Sequence, residues 1–178
     1  MKKILFILFT FIITLSSVAQ ESTYREDALD LLSLNGTTEQ YRNAIDQLFE
    51  LLQRQYKTND VSQATWNELK ELSSGEIGRI KAMLVSAYRG TYSQDDIKNM
   101  ISFYQTEAGQ QLLKNQANLT DAHRNDVSFF YNSDTGKKIL DSKDEISRSV
   151  AEVSEIWSRD LYKMVVDKLA EKGHIMQQ

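Results

Sequence analysis

The chain has 178 residues with 21 Lys and Arg against 25 Asp and Glu, a net charge of −4 at neutral pH, and neither Cys nor Pro. An acidic balance with no basic run is the opposite of a nucleic-acid footprint, and zero Cys excludes thiol chemistry, disulfides and a lipidated cysteine. With no Pro and only 7 Gly, the chain lacks helix breakers and reads as all-α.

The first residues, MKKILFILFTFIITLSSVAQ, set Lys2 and Lys3 before an apolar run from Ile4 to Leu15 and small residues that include Ser17 and Ala19. This is the plan of a secretory signal peptide, with cleavage expected after Ala19. The apolar run is 12 residues long, short of the roughly 20 that cross a bilayer, so no stable membrane insertion is expected after cleavage. Removing residues 1–19 leaves 159, and with Lys2 and Lys3 gone 19 basic residues stand against 25 acidic ones, a net charge of −6. One domain over 20–178 is expected, periplasmic or secreted.

YREDALDLLSLNG puts Ala28, Leu31 and Leu32 on one helical face and ends on Asn35-Gly36, a left-handed cap signal. TTEQYRNAIDQLFELLQRQY starts with Thr37 or Thr38 as expected N-cap and runs Tyr41, Ile45, Leu48, Phe49, Leu52 and Tyr56 along one stripe. After polar KTNDVSQ, Trp66, Leu69 and Leu72 mark a short helix. Ser73 or Ser74 is expected to open the next, with Ile77, Ile80, Leu84, Ala87 and Tyr88 facing inward. Ser93-Gln-Asp-Asp is a further start, the serine accepting from an amide three residues on and Asp95 and Asp96 lying at the positive end of the dipole. Ile97, Met100, Ile101 and Tyr104 then face the core.

FYQTEAGQQLL, starting at Phe103, returns 27 positions later as FYNSDTGKKIL, with four identities and four conservative exchanges. The shared positions are Phe103, Tyr104, Thr106, Gly109 and Leu112 in one copy and Phe130, Tyr131, Ser133, Gly136 and Ile139 in the other. Thr106 and Ser133 are N-cap types, each followed by an acid, Glu107 or Asp134. Both copies read as helix-to-helix corners in which a glycine at the third helical position lets the Phe-Tyr pair fold back closely. Two copies are too few for a solenoid, so the pattern reads as a duplicated hairpin element.

From Asp134 to Lys172 the helical pattern is uninterrupted, with Ile139, Ile146, Val150, Val153, Trp157, Leu161, Val165 and Leu169 in one seam. An unbroken helix of that length would reach about 58 Å, against a globule roughly 40 Å across. It bends around Asp141 to Asp144, belongs to an elongated bundle, or docks its seam on a second subunit. The expected architecture is an antiparallel bundle of five or six helices built from helical hairpins, with a long C-terminal helix.

ALDLLSLNGTTEQYRNAIDQLF and YSQDDIKNMISFYQTEAGQQLL together resemble the family called domain of unknown function 2059, found in exported proteins of Gram-negative bacteria. The resemblance covers about 24–122, leaving a C-terminal helical extension over about 123–178. Its most specific part is the arrangement of Phe103, Tyr104, Thr106 and Gly109. Members often carry Ser-Pro at the corner where this chain has Thr106-Glu107; Pro and a carboxylate both suit a first helical turn. The resemblance implies an all-helical periplasmic domain and brings no assigned activity and no catalytic residue.

Motifs for chemistry are sparse. No nucleophile elbow, Walker loop or dinucleotide fingerprint occurs. His123, between Asp121 and Asp126, reads as a surface histidine. Glu171 and His174 form an E-x-x-H pair that lacks the second copy and further glutamates of a di-iron site. Asp95 and Asp96 point about 100° apart on a helix, which is wrong for paired acid and base. No catalytic residue, metal or cofactor is expected. The aromatics Tyr88, Tyr92, Phe103, Tyr104, Phe129, Phe130, Tyr131, Trp157 and Tyr162 read as core at helical spacing, with a groove for a peptide, a lipid or a hydrophobic ligand as the alternative, and consecutive Phe129 and Phe130 cannot share one face. The expected function is a non-enzymatic protein-interaction module. Its partner would be another envelope protein, or a second copy met through the C-terminal helix. The alternative is a carrier of a small apolar or amphiphilic ligand between helices.

Overall fold

In the computed structural model residues 23–175 are described, and the expected signal peptide lies outside them. All regular structure among the described residues is helical. Residues 23–34 form α1; α2 spans Thr37–Gln55, α3 Gln63–Ser74, α4 Glu76–Thr91 and α5 Gln94–Tyr104. Then come α6 (Glu107–Lys114), one 3-10 turn (Gln116–Asn118), α7 (Asp121–Asn132), α8 (Asp134–Asp141) and α9 (Lys143–Glu171).

Helical segments among the described residues outnumber the five or six expected, because periodicity runs through corners that polar caps break. Gly36 ends α1 at φ 85°, the left-handed region that glycine occupies without a Cβ penalty. The side chain of Asn35 accepts from the Thr37 amide at 3.2 Å. The N-cap of α2 is therefore Gly36, and neither Thr37 nor Thr38 takes the role expected of it. Likewise Ser73 and Ser74 close α3 instead of opening α4, their hydroxyls donating back to Leu69 O and Lys70 O. The buried face of α3 is Trp66, Leu69 and Ser73, and Leu72, expected in that stripe, points out and is 51% exposed. A serine satisfied by its own helix can take the buried place one turn beyond Leu69.

Helices α2, α3, α4 and α9 meet around one core. Tyr41 of α2 meets the Trp157 ring edge-on at 5.1 Å, and Trp157 Nε1 donates to Glu76 O at the start of α4 at 3.1 Å. Phe49 and Tyr56 both meet Trp66 edge-on. Along α9, Trp157, Leu161, Val165 and Leu169 are buried. The long C-terminal pattern is interrupted at Ser142, which caps α8 with φ −91° and ψ 3°, within the stretch where a bend was one of the expected solutions. The 29 residues of α9 then extend about 43 Å. Helices α5 to α8 carry the two corners. Among the described residues no helix is long and apolar enough to cross a membrane.

Candidate functional site

The two corners share one construction. Thr106 Oγ1 accepts from Gly109 N at 3.0 Å and donates to Phe103 O at 2.7 Å. Ser133 Oγ accepts from Gly136 N at 3.1 Å and donates to Phe130 O at 2.6 Å. Each hydroxyl thus satisfies a free amide of the helix that begins and adds a second donor to a carbonyl of the helix that ends, which already accepts from the backbone N–H of Thr106 or Ser133 at 3.0 Å. A Cβ on Gly109 would lie 2.2 Å from Phe103 O, and one on Gly136 would lie 2.2 Å from Phe130 O. Only glycine lets the incoming backbone approach so closely.

The corners also face each other. The rings of Phe103 and Phe130 stack at 4.1 Å with planes 4° apart, and the hydroxyls of Tyr104 and Tyr131 interact beside them. Burial raises the pKa of both tyrosines, so they stay neutral and serve as packing groups. Above the stacked rings opens a groove of about 510 Å³ with two walls. Asn99, Ser102, Phe103 and Thr106 line one wall, and Asp126, Phe129, Phe130 and Ser133 line the other. Every residue of the second wall stands 27 positions after its counterpart in the first. Phe130 is buried, whereas Phe129 is 83% exposed at the groove's rim. Of the two consecutive aromatics, one enters the core and the other stays in water.

Beneath the groove, a polar cluster ties α5 to α8. Asp96 closes a capping box with Ser93, accepting from Ser93 N at 2.9 Å and Ser93 Oγ at 2.7 Å. It also accepts from Thr135 Oγ1 at 3.0 Å and from Lys138 Nζ at 2.6 Å. Asn99 Nδ2 donates to Thr135 Oγ1 at 3.0 Å. Burial works against the Asp96 charge, but the donors from Lys138, Ser93 and Thr135 outweigh it and hold the carboxyl at about 2. A carboxylate so fully engaged is a structural anion and a poor proton acceptor.

The other residues singled out in the sequence lie apart from the groove's floor. Glu171 pairs with Lys168, and His174 Nδ1 is 3.1 Å from Asn59 O. Asp95 is exposed in the first turn of α5. His123 follows the Thr120 cap of α7, its amide donating to Thr120 Oγ1. Among the described residues no three His, Asp or Glu converge as metal ligands. Sequence reading missed Asn99, Ser102 and Asp126 as groove residues. The signal was present: the 27-residue offset that relates the corners also relates Ser93 to Thr120, the N-caps of α5 and α7, and carrying it backward pairs all four wall positions.

A family model described as "Uncharacterized protein conserved in bacteria (DUF2059)" matches residues 78–122 and, a second time, 116–163. Each match contains one of the two corners. The matched stretch shares residues 78–122 with the resemblance read from the sequence and runs on through α7, α8 and most of α9. No curated protein and no solved structure matches the chain.

Proposed function

From a chain whose residues 78–163 belong to this bacterial family, we propose an exported, non-enzymatic interaction module that engages a partner protein through the groove between its two corners. One observation carries the reading: Phe129, a large apolar side chain, is held 83% exposed beside an apolar floor of stacked phenylalanines. Keeping such a ring in water sacrifices up to about 2–3 kcal/mol of burial, and apolar anchors of this kind are where interfaces concentrate their energy. The duplicated corner supports the same reading, since it supplies two matched walls on rigid, capped helices. The leader-like residues 1–19 support export, and the periplasm is the compartment the reading favours. The groove is open, bounded by two walls. A pocket for a small carried ligand encloses most of its guest, so a protein side chain fits the shape better.

The test is site-specific crosslinking in the native bacterium. A photoreactive phenylalanine analogue replacing Phe129 is expected to give one discrete crosslinked protein in the envelope fraction. The same analogue at exposed Glu155 is expected to give none. Absence of any product specific to position 129 would count against the proposal.

A further inference from the structure

Four residue pairs build the groove, and they are not equally alike. Phe103 matches Phe130 and Thr106 matches Ser133 in kind, so floor and corners are symmetric. Symmetry breaks at the other two pairs, where Asn99 faces Asp126 and Ser102 faces Phe129. On the first wall both polar groups are occupied within the chain: Asn99 donates to Thr135 and Ser102 Oγ donates to Lys98 O at 2.9 Å. On the second wall Asp126 and Phe129 are exposed, and among the described residues Asp126 has no hydrogen-bonding or ion-pairing partner. One wall is finished, and the other offers a carboxylate and an aromatic ring one helical turn apart.

We infer that the groove selects a peptide segment carrying a Lys or Arg three or four residues from a bulky apolar side chain, an inference that rests on the docking role proposed above. The apolar side chain would lie against Phe129 on the floor of Phe103 and Phe130, and the cation would reach Asp126. Spacing of three or four residues matches that separation on a helix. Charge complementarity argues against the other occupants. An anionic lipid surface is repelled by Asp126 and by a chain with net charge −4. A second copy docked groove to groove about a two-fold axis would bring two Asp126 carboxylates into one interface.

The test selects a random dodecapeptide display library on the purified protein and measures the recovered peptides by fluorescence anisotropy. Two variants accompany the parent, Asp126→Asn and Phe129→Ser, which give the second wall the residues of the first. Both positions are exposed, so both variants should keep the parent's thermal midpoint. Recovered peptides are expected to carry the basic and apolar pair. Phe129→Ser should weaken them at least tenfold, and Asp126→Asn should abolish the preference over versions with Gln in place of the base. Neutral or acidic peptides, or a preference that survives Asp126→Asn, would overturn the inference and leave a purely apolar docking groove. Failure of Phe129→Ser to weaken any peptide would remove the docking role with it. Self-association in sedimentation that Phe129→Ser abolishes would assign the groove to a second copy and overturn the inference.

Discussion

At the residue scale the corners depend on two missing methyl groups. The positions a Cβ would take at Gly109 and Gly136 lie 2.2 Å from a backbone oxygen, a distance no side-chain rotation relieves, because the obstacle is main chain. Gly109→Ala and Gly136→Ala are each expected to lower stability by about 2–3 kcal/mol through overpacking, or a midpoint drop of roughly 5–10 °C. Gly78, inside α4, is the internal control. A Cβ there meets nothing within 4 Å, so Gly78→Ala should raise stability by up to about 1 kcal/mol through helix propensity. Thermal unfolding of the three variants side by side checks the geometry, and an unchanged midpoint for Gly109→Ala would refute the close approach.

At the scale of elements, the join between α5 and α8 is an ion pair with a definite pH signature. The folded Asp96 carboxyl sits at about 2, below the ordinary value near 3.9. Its contribution is therefore fully present above about pH 4 and is lost as pH falls toward 2. The depression corresponds to about 2 kcal/mol, drawn mainly from Lys138, Ser93 and Thr135. Denaturant titrations between pH 6 and 2 should show stability falling across that window. Lys138→Met should flatten the fall and lower stability at neutral pH, since it leaves a buried carboxylate without its cation. A parent curve that is flat from pH 4 to 2 would contradict the network. Half of this join was legible in the sequence. Ser93-Gln-Asp-Asp announces a helix start, and Ser93 and Asp96 do close a capping box. That Asp96 also meets Lys138, 42 positions on, was not legible, because local propensity carries no information about which surfaces of two separate helices meet. Leu72 shows the same limit: its position in the chain fits an apolar stripe, and only the placement of α2, α4 and α9 around α3 decides that Ser73 is buried in its stead.

At the scale of the whole molecule, the question is what α9 contributes. The sequence showed its seam but could not say whether the chain or a partner covers it, since an apolar stripe looks the same in either case. Geometry answers for the C-terminal half: Trp157, Leu161, Val165 and Leu169 are within 2% of full burial among α2, α3 and α4. Tyr41 Oη and Ser154 Oγ share a 2.6 Å hydrogen bond, and Arg79 reaches Asp160 at 2.7 Å. Trp157→Ala is accordingly expected to cost about 3–5 kcal/mol, whereas Ile156→Ala, at a side chain 43% exposed, should cost under about 1 kcal/mol. Ending the chain after Asp141 removes all four buried side chains together, a loss comparable to the whole of the roughly 5–15 kcal/mol that holds a typical domain. Circular dichroism of the truncated chain should therefore show loss of cooperative unfolding, with the helicity of α2 and α4 reduced as well as that of the removed helix. If the truncated chain instead stays folded and cooperative, α9 is dispensable to the core. The seam would then be an assembly surface, and sedimentation velocity should find the full chain as a dimer and the truncated one as a monomer.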